Sequence, residues 1–220
     1  MKSKLLKMVL AGMLAVSILG LAAAGASASA EDYHHRPEHG ITPAMAKLKG
    51  DMRKLWFEHV IWSRSFIVSA LAGLQDQDKV LARLLKNQQD IGNAIKPYYG
   101  DAAGDQLAKL LTEHIELAGQ VLNAAKSGNQ REFDKANKEW YRNADDIAKF
   151  LSDANPNWSN QQLREMLHVH LQLLWADMEA RLKKDWDASI AAFDKGEDHI
   201  IMLADVLADG IIKQFPDKFR

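Results

Sequence analysis

Beyond Gly40 the chain carries apolar residues at alternating spacings of three and four, the repeat of a helix with one buried face. In the first such stretch Leu48, Met52, Leu55, His59, Trp62, Phe66 and Ser69 fall on one stripe. Thr42 stands at the cap position and Pro43 at the first helical position, which predicts a helix running to about Leu74. A second helix over residues 76–96 turns Val80, Leu84, Ile91 and Ile95 inward, and Pro97 is expected to stop it. A third, over 101–126, aligns Ala103, Leu107, Leu110, His114, Leu117, Val121 and Ala124, and Ser127-Gly128 ends it. Asn129 with Glu132 has the spacing of a capping box and opens a fourth helix, whose stripe is Phe133, Trp140, Ala144, Ile147 and Leu151. Asn155-Pro156 breaks it. Ser159 with Gln162 opens a fifth, expected to continue to about Phe193, roughly 34 residues or 50 Å. Asp194 with Glu197 opens a sixth that ends before Pro216. No segment alternates as a half-buried strand does. The pattern predicts an all-α fold: an up-down antiparallel bundle of about six helices, with one long helix near the C-terminal third.

Residues 1–41 follow another pattern. Lys2, Lys4 and Lys7 precede an almost wholly apolar or small run from Met8 to Ala26, and Ala28-Ser29-Ala30 offers a small-x-small cleavage site. This is the tripartite order of a secretory signal peptide over residues 1–30, and it predicts a secreted or envelope-associated protein of bacterial type with no stable membrane span after cleavage. The rival, an uncleaved anchor, rests on an apolar run close to the roughly 18 residues that can span a bilayer. Residues 31–41 are polar and lack periodicity, and so read as a flexible tail. Its His34, His35 and His39 form either a loose metal-binding tail or a solvated segment. The remaining residues, 42–220, make a single helical domain.

Charge and composition remove whole classes of function. The chain has 28 basic and 29 acidic residues, a formal charge of −1. Such a balance gives no electrostatic footprint for nucleic acid. The absence of cysteine excludes disulfides, a lipid-modified N-terminus, c-type haem, thiolate-bound zinc and iron–sulfur clusters. Several motifs fail on geometry. Asp185-Trp186-Asp187 resembles an acidic metal-nucleotide triplet but falls within a predicted helix. His168 and His170 lie two apart on a helix and point to opposite sides. Glu165-x-x-His168 matches half of a di-iron carboxylate site, whose second copy is missing. No Gly-rich phosphate loop, no His-Glu-x-x-His and no Ser-His-Asp arrangement can be read from the sequence.

The informative positions are polar residues on apolar stripes. His59 and His114 stand where leucine is expected, and His170 shares the inward stripe of the fifth helix with Leu163, Leu167, Leu174 and Asp177. Counting heights from one turn to the next puts His59, Asp90, Asn143 and His170 in one layer, with His114 one to two turns away. Imidazoles and a carboxylate meeting there would suit a transition metal such as zinc or copper, with His59, Asp90, His114 and His170 as ligands. Haem is a less favoured occupant, and a small organic ligand a further one. Trp62, Arg64, Asn87, Trp140 and Asn143 would surround the group. The competing expectation is a buried polar network that only sets helix register. Asp177, Arg181, Asp185 and Asp205 read as a separate, solvated ion-paired seam. His199 is left out of the layer.

Three stretches carry a resemblance: Asn87 to Gly100 (NQQDIGNAIKPYYG), Asn143 to Ile147 (NADDI) and Gly210 to Pro216 (GIIKQFP). They resemble an uncharacterised family of exported bacterial helical-bundle proteins, over nearly all the chain beyond the signal. That resemblance implies export and a helical bundle, and it brings no catalytic residue. Three functional expectations follow, in this order: a secreted bundle that binds a metal ion or small ligand, a structural or interaction protein of the cell envelope, and an enzyme, which would need an open pocket reaching the layer.

Overall fold

Each helix but one that follows a longer connection begins where a side chain can occupy its free N–H groups. In the computed structural model, which describes residues 40–220, Thr42 Oγ1 accepts from Met45 N–H and opens α1 (Pro43–Ala72). Asn129 accepts from Glu132 N–H and opens α4 (Gln130–Ala154). Ser159 accepts from Gln162 N–H and opens α5 (Asn160–Leu182). Asp185 accepts from Ala188 N–H and opens α6 (Trp186–Gln214). The exception is α2 (Gln77–Tyr99), which starts without a side-chain cap; α3 (Asp101–Ser127) follows it directly across Gly100. A short 3-10 turn, Pro216–Phe219, ends the chain. The expected signal peptide and the tail up to His39, with His34, His35 and His39, lie outside the described residues.

Two boundaries differ from expectation. Pro97 does not stop α2; it sits in the last turn, and the helix runs on to Tyr99. There the missing N–H costs one bond near a fraying end rather than in a helix interior. The fifth helix ends earlier than expected, at Leu182, and the rest of the expected stretch belongs to α6. The chain reverses at Lys183-Lys184-Asp185, and Asp194 and Glu197 lie inside α6. Lys184 takes the left-handed conformation, φ 59°. Its N–H donates to Arg181 O, and Asp185 N–H donates to Ala180 O at 2.8 Å. This closes α5 by the same device that ends α1 at Gly73 and α3 at Gly128, both with positive φ. The Asp185-Trp186-Asp187 triplet therefore lies at a helix start, with Asp185 committed to the cap.

Each helix packs against the one before and the one after, and α6 packs on α1, so the six form a closed up-down ring. The ring is built from three helical hairpins that repeat one another. Met52, Leu107 and Leu163 correspond, as do Leu55, Leu110 and Met166, His59, His114 and His170, and the left-handed residues Gly73, Gly128 and Lys184. In the second helix of each hairpin Asn87, Asn143 and His199 correspond, followed by Ile91, Ile147 and Leu203. A hydrogen bond repeats with them. Asn87 Nδ2 donates to Leu55 O at 3.0 Å, Asn143 Nδ2 to Leu110 O at 3.1 Å, and His199 Nε2 lies 2.7 Å from Met166 O.

The core runs the length of the ring, with Trp140, Ala144, Leu163, Leu171, Val121 and Ile200 fully enclosed. Small residues permit the closest crossings. A Cβ on Gly92 would fall 2.4 Å from Gly104 O, and one on Gly210 would fall 1.8 Å from Trp158 Nε1. At one end of the ring the two ends of the described chain meet, where Thr42 Oγ1 donates to Phe219 O at 2.7 Å. Among the described residues no helix is long and apolar enough to cross a membrane.

Candidate functional site

The repeat brings one imidazole from each hairpin to the axis of the ring. His59 on α1, His114 on α3 and His170 on α5 are 2%, 3% and 4% exposed. The His170 ring centre lies 5.7 Å from that of His59 and 6.0 Å from that of His114. Trp56 stands against His59 at 5.7 Å and Trp140 against His114 at 5.6 Å, so five rings cross the core in a row.

Hydrogen bonds fix the protonation of two of the three. Asn143 Nδ2 donates to Leu110 O, which leaves its Oδ1 facing His114 Nδ1 at 2.8 Å. An amide oxygen only accepts, so Nδ1 carries the proton and Nε2 the lone pair. The same reasoning holds for His59. Gln88 Nε2 donates to Leu84 O at 2.7 Å, and Gln88 Oε1 faces His59 Nδ1 at 3.2 Å. His170 has no such amide, because His199 occupies the place of Asn143 and gives its Nε2 to Met166 O. Its own Nε2 is buried without a partner, as are the indole nitrogens of Trp56 and Trp140.

Burial governs the charge of the triad. It lowers the pKa of His59 to about 3, with the nearby His114 adding to the effect and the Gln88 bond opposing it. Burial likewise lowers His114 to about 4. His170 is driven well below the usual imidazole range by burial and then by the fields of His59, His114 and His199. All three are neutral at pH 7, the form that ligates a metal.

Asp90 is not brought to the layer. It lies at the surface of α2 in an ion pair with Lys86. Gln88, two residues earlier and so on the opposite side of the helix, meets His59 instead. His114, expected one to two turns away, is level with the others. A turn centre misplaced by one residue shifts the level on the next helix by two, about 3 Å; one such error exchanges Asp90 for Gln88, while the offset expected for His114 is larger than a single such error gives. Asn143 and Trp140 contact the triad as expected, and Asn87 ties α2 to α1 just beneath it. Trp62 makes no ring contact with the triad and lies under Arg83 at 5.1 Å. Arg64 pairs with Asp177.

The expected solvated seam does not exist as a unit. Asp177 is buried, Asp205 binds Arg53 at 2.7 Å on the surface, and Arg181 covers Trp186. His168 points outward to Asp145, opposite His170, as the helical spacing requires. Gln88, Trp56 and the role of His199 were not read from the sequence; the internal repeat would have shown the last.

Cavities of about 20 Å³ and 10 Å³ adjoin the triad on its two sides. Each admits a water or an ion and neither admits a porphyrin, so haem does not fit. Among the described residues no group of three His, Asp or Glu side chains is already arranged around one ion position. No protein family, curated protein or solved structure matches this chain.

Proposed function

We propose that this chain is an exported, non-catalytic helical bundle that holds a transition-metal ion, zinc or copper, between His59, His114 and His170. The observation that supports it most is the orphaned Nε2 of His170, buried beside two imidazoles whose own Nε2 atoms carry lone pairs. A buried polar atom without a partner costs about 1–3 kcal/mol. A triad that only spaced helices would have no use for that cost. The Gln88 and Asn143 amides stand where the outer partners of ligating histidines stand, fixing tautomer and ring orientation. Ligation requires the rings to turn until three nitrogens lie about 2.0–2.1 Å from the ion. Export rests on the pattern of residues 1–30 and is tested by the N-terminal sequence of the secreted protein.

The test is elemental analysis and thermal melting of untagged protein titrated with Zn²⁺ or Cu²⁺. One ion per chain is expected, with stability raised by about 2.7 kcal/mol at a hundredfold excess over Kd. The gain disappears in His170→Ala and survives replacement of His34, His35 and His39 by alanine. No uptake and an unchanged melt would overturn the reading. One observation favours the alternative of a register-setting layer: His59 and His114 are already satisfied by amides. That reading predicts a chain without metal in which His170→Leu is more stable than the parent.

A further inference from the structure

Among the described residues Asp177 is the one buried carboxylate, 2% exposed. Its Oδ1 accepts from Arg64 and from Ser189 Oγ at 2.7 Å, while its Oδ2 has no partner. Asp177 and His170 both line the 20 Å³ cavity, which lies between α1, α5 and α6. Two unpartnered buried polar groups thus belong to the wall of one small space.

The two cavities beside the triad differ in their walls. The one touching His59 and His114 is enclosed by Phe66, Ile67, Leu84, Ile115 and Met178, all buried. The other is bounded by Arg64, Leu173, Phe193 and Gly196, all half-buried, so that it reaches toward solvent. Arg64 lies across it, 5.1 Å over the Phe193 ring and 3.3 Å from Ser189 O. Gly196 leaves the edge of α6 open; a Cβ there would meet nothing within 4 Å.

We propose that this slot is the passage by which solvent, and with it the metal ion, reaches the triad, with Asp177 as the intermediate binding point and Arg64 as its gate. The ion part rests on the reading of the triad as a metal site. A cation entering from water first meets a carboxylate that Arg64 already neutralises. Arg64 swings outward, its aliphatic stem sliding over Phe193, and Asp177 exchanges one positive partner for another. His170 is the first imidazole beyond it and, lacking an amide, is free to turn toward the newcomer. The ion passes from Asp177 to His170 and then to His59 and His114, and Arg64 returns to the carboxylate.

The first measurement needs no metal: deuterium exchange at the imidazole Cε1–H of each histidine, followed by mass spectrometry in D₂O. Gly196→Leu fills the slot without a backbone clash. It is expected to slow exchange at His170 by about tenfold, as a local opening made rarer would, and to leave His168 at the parent rate. Zn²⁺ uptake, followed by stopped flow, slows with it while the final stoichiometry is unchanged. Arg64→Gln speeds uptake, and Arg64→Lys restores the parent rate.

Parent-rate exchange at His170 in Gly196→Leu, confirmed with Ala192→Leu, would overturn the passage. A chain that binds no metal but still shows the Gly196 effect would remove the ion and leave a solvent passage. Normal uptake kinetics in both filled variants would keep the metal site and remove the slot.

Discussion

At the scale of single residues, the three axial histidines make stability depend on acid. In the folded chain His59 and His114 stay neutral down to about pH 3 and 4. Unfolded, each takes up a proton near pH 6.5. Between those values the unfolded chain binds more protons, so stability falls as pH is lowered through the window. The slope is about 1.4 kcal/mol per pH unit for each histidine, and about 4 kcal/mol per unit if all three contribute. Urea midpoints measured from pH 7 to pH 4.5 should follow it, and His59→Leu should flatten the curve by one histidine's share. A slope unchanged by that substitution would mean that His59 is protonated in the folded core. The histidines were legible in the sequence because an imidazole on a leucine stripe stands out. Their partners were legible only in part: Asn143 and Trp140 were expected beside the layer, Gln88 and Trp56 were not. Gln88 and Asp90 lie on opposite faces of α2, and a height count accurate to two residues cannot choose between them. Asp177 stood on the inward stripe, but its charge suggested solvent, and only packing reveals Arg64 and Ser189 beside it.

Among the helices, the capped starts were the easiest features to read. Thr42, Asn129 and Ser159 each precede a periodic stretch, and each accepts the expected backbone N–H. The break between α5 and α6 was hidden because its left-handed residue is lysine. At the equivalent turns glycine marks the end of the helix, and its absence let the apolar pattern appear to run on to Phe193. A non-glycine residue in that conformation costs about 1–2 kcal/mol. Lys184→Gly is therefore expected to stabilise the chain by about 1 kcal/mol, the strain relieved less the added freedom of the unfolded chain. Gly128→Ala, at the matching turn, should lose about as much. Chemical denaturation of the two variants checks both. A loss of stability in Lys184→Gly would show that the lysine side chain contributes more at that turn than its backbone costs.

For the whole molecule, all-α class and helix number followed from periodicity, but the ring and its three-hairpin repeat did not. The repeat is carried by a few positions scattered over 55 or 56 residues, such as Leu55, Leu110 and Met166, while the residues between them differ. Closure has a consequence for how the chain can be strung. The seam between α6 and α1 is a helix contact like the other five, and Thr42 touches Phe219 across it. Circular permutation should therefore be tolerated. A chain begun at Asp101, joined from Arg220 to Thr42 by a short glycine linker and ended at Gly100, should melt in one transition within about 2 kcal/mol of the parent. Loss of that single transition would mean that folding depends on which hairpin comes first. If the permuted chain folds, hairpin order belongs to the gene, and the molecule itself has no first or last repeat.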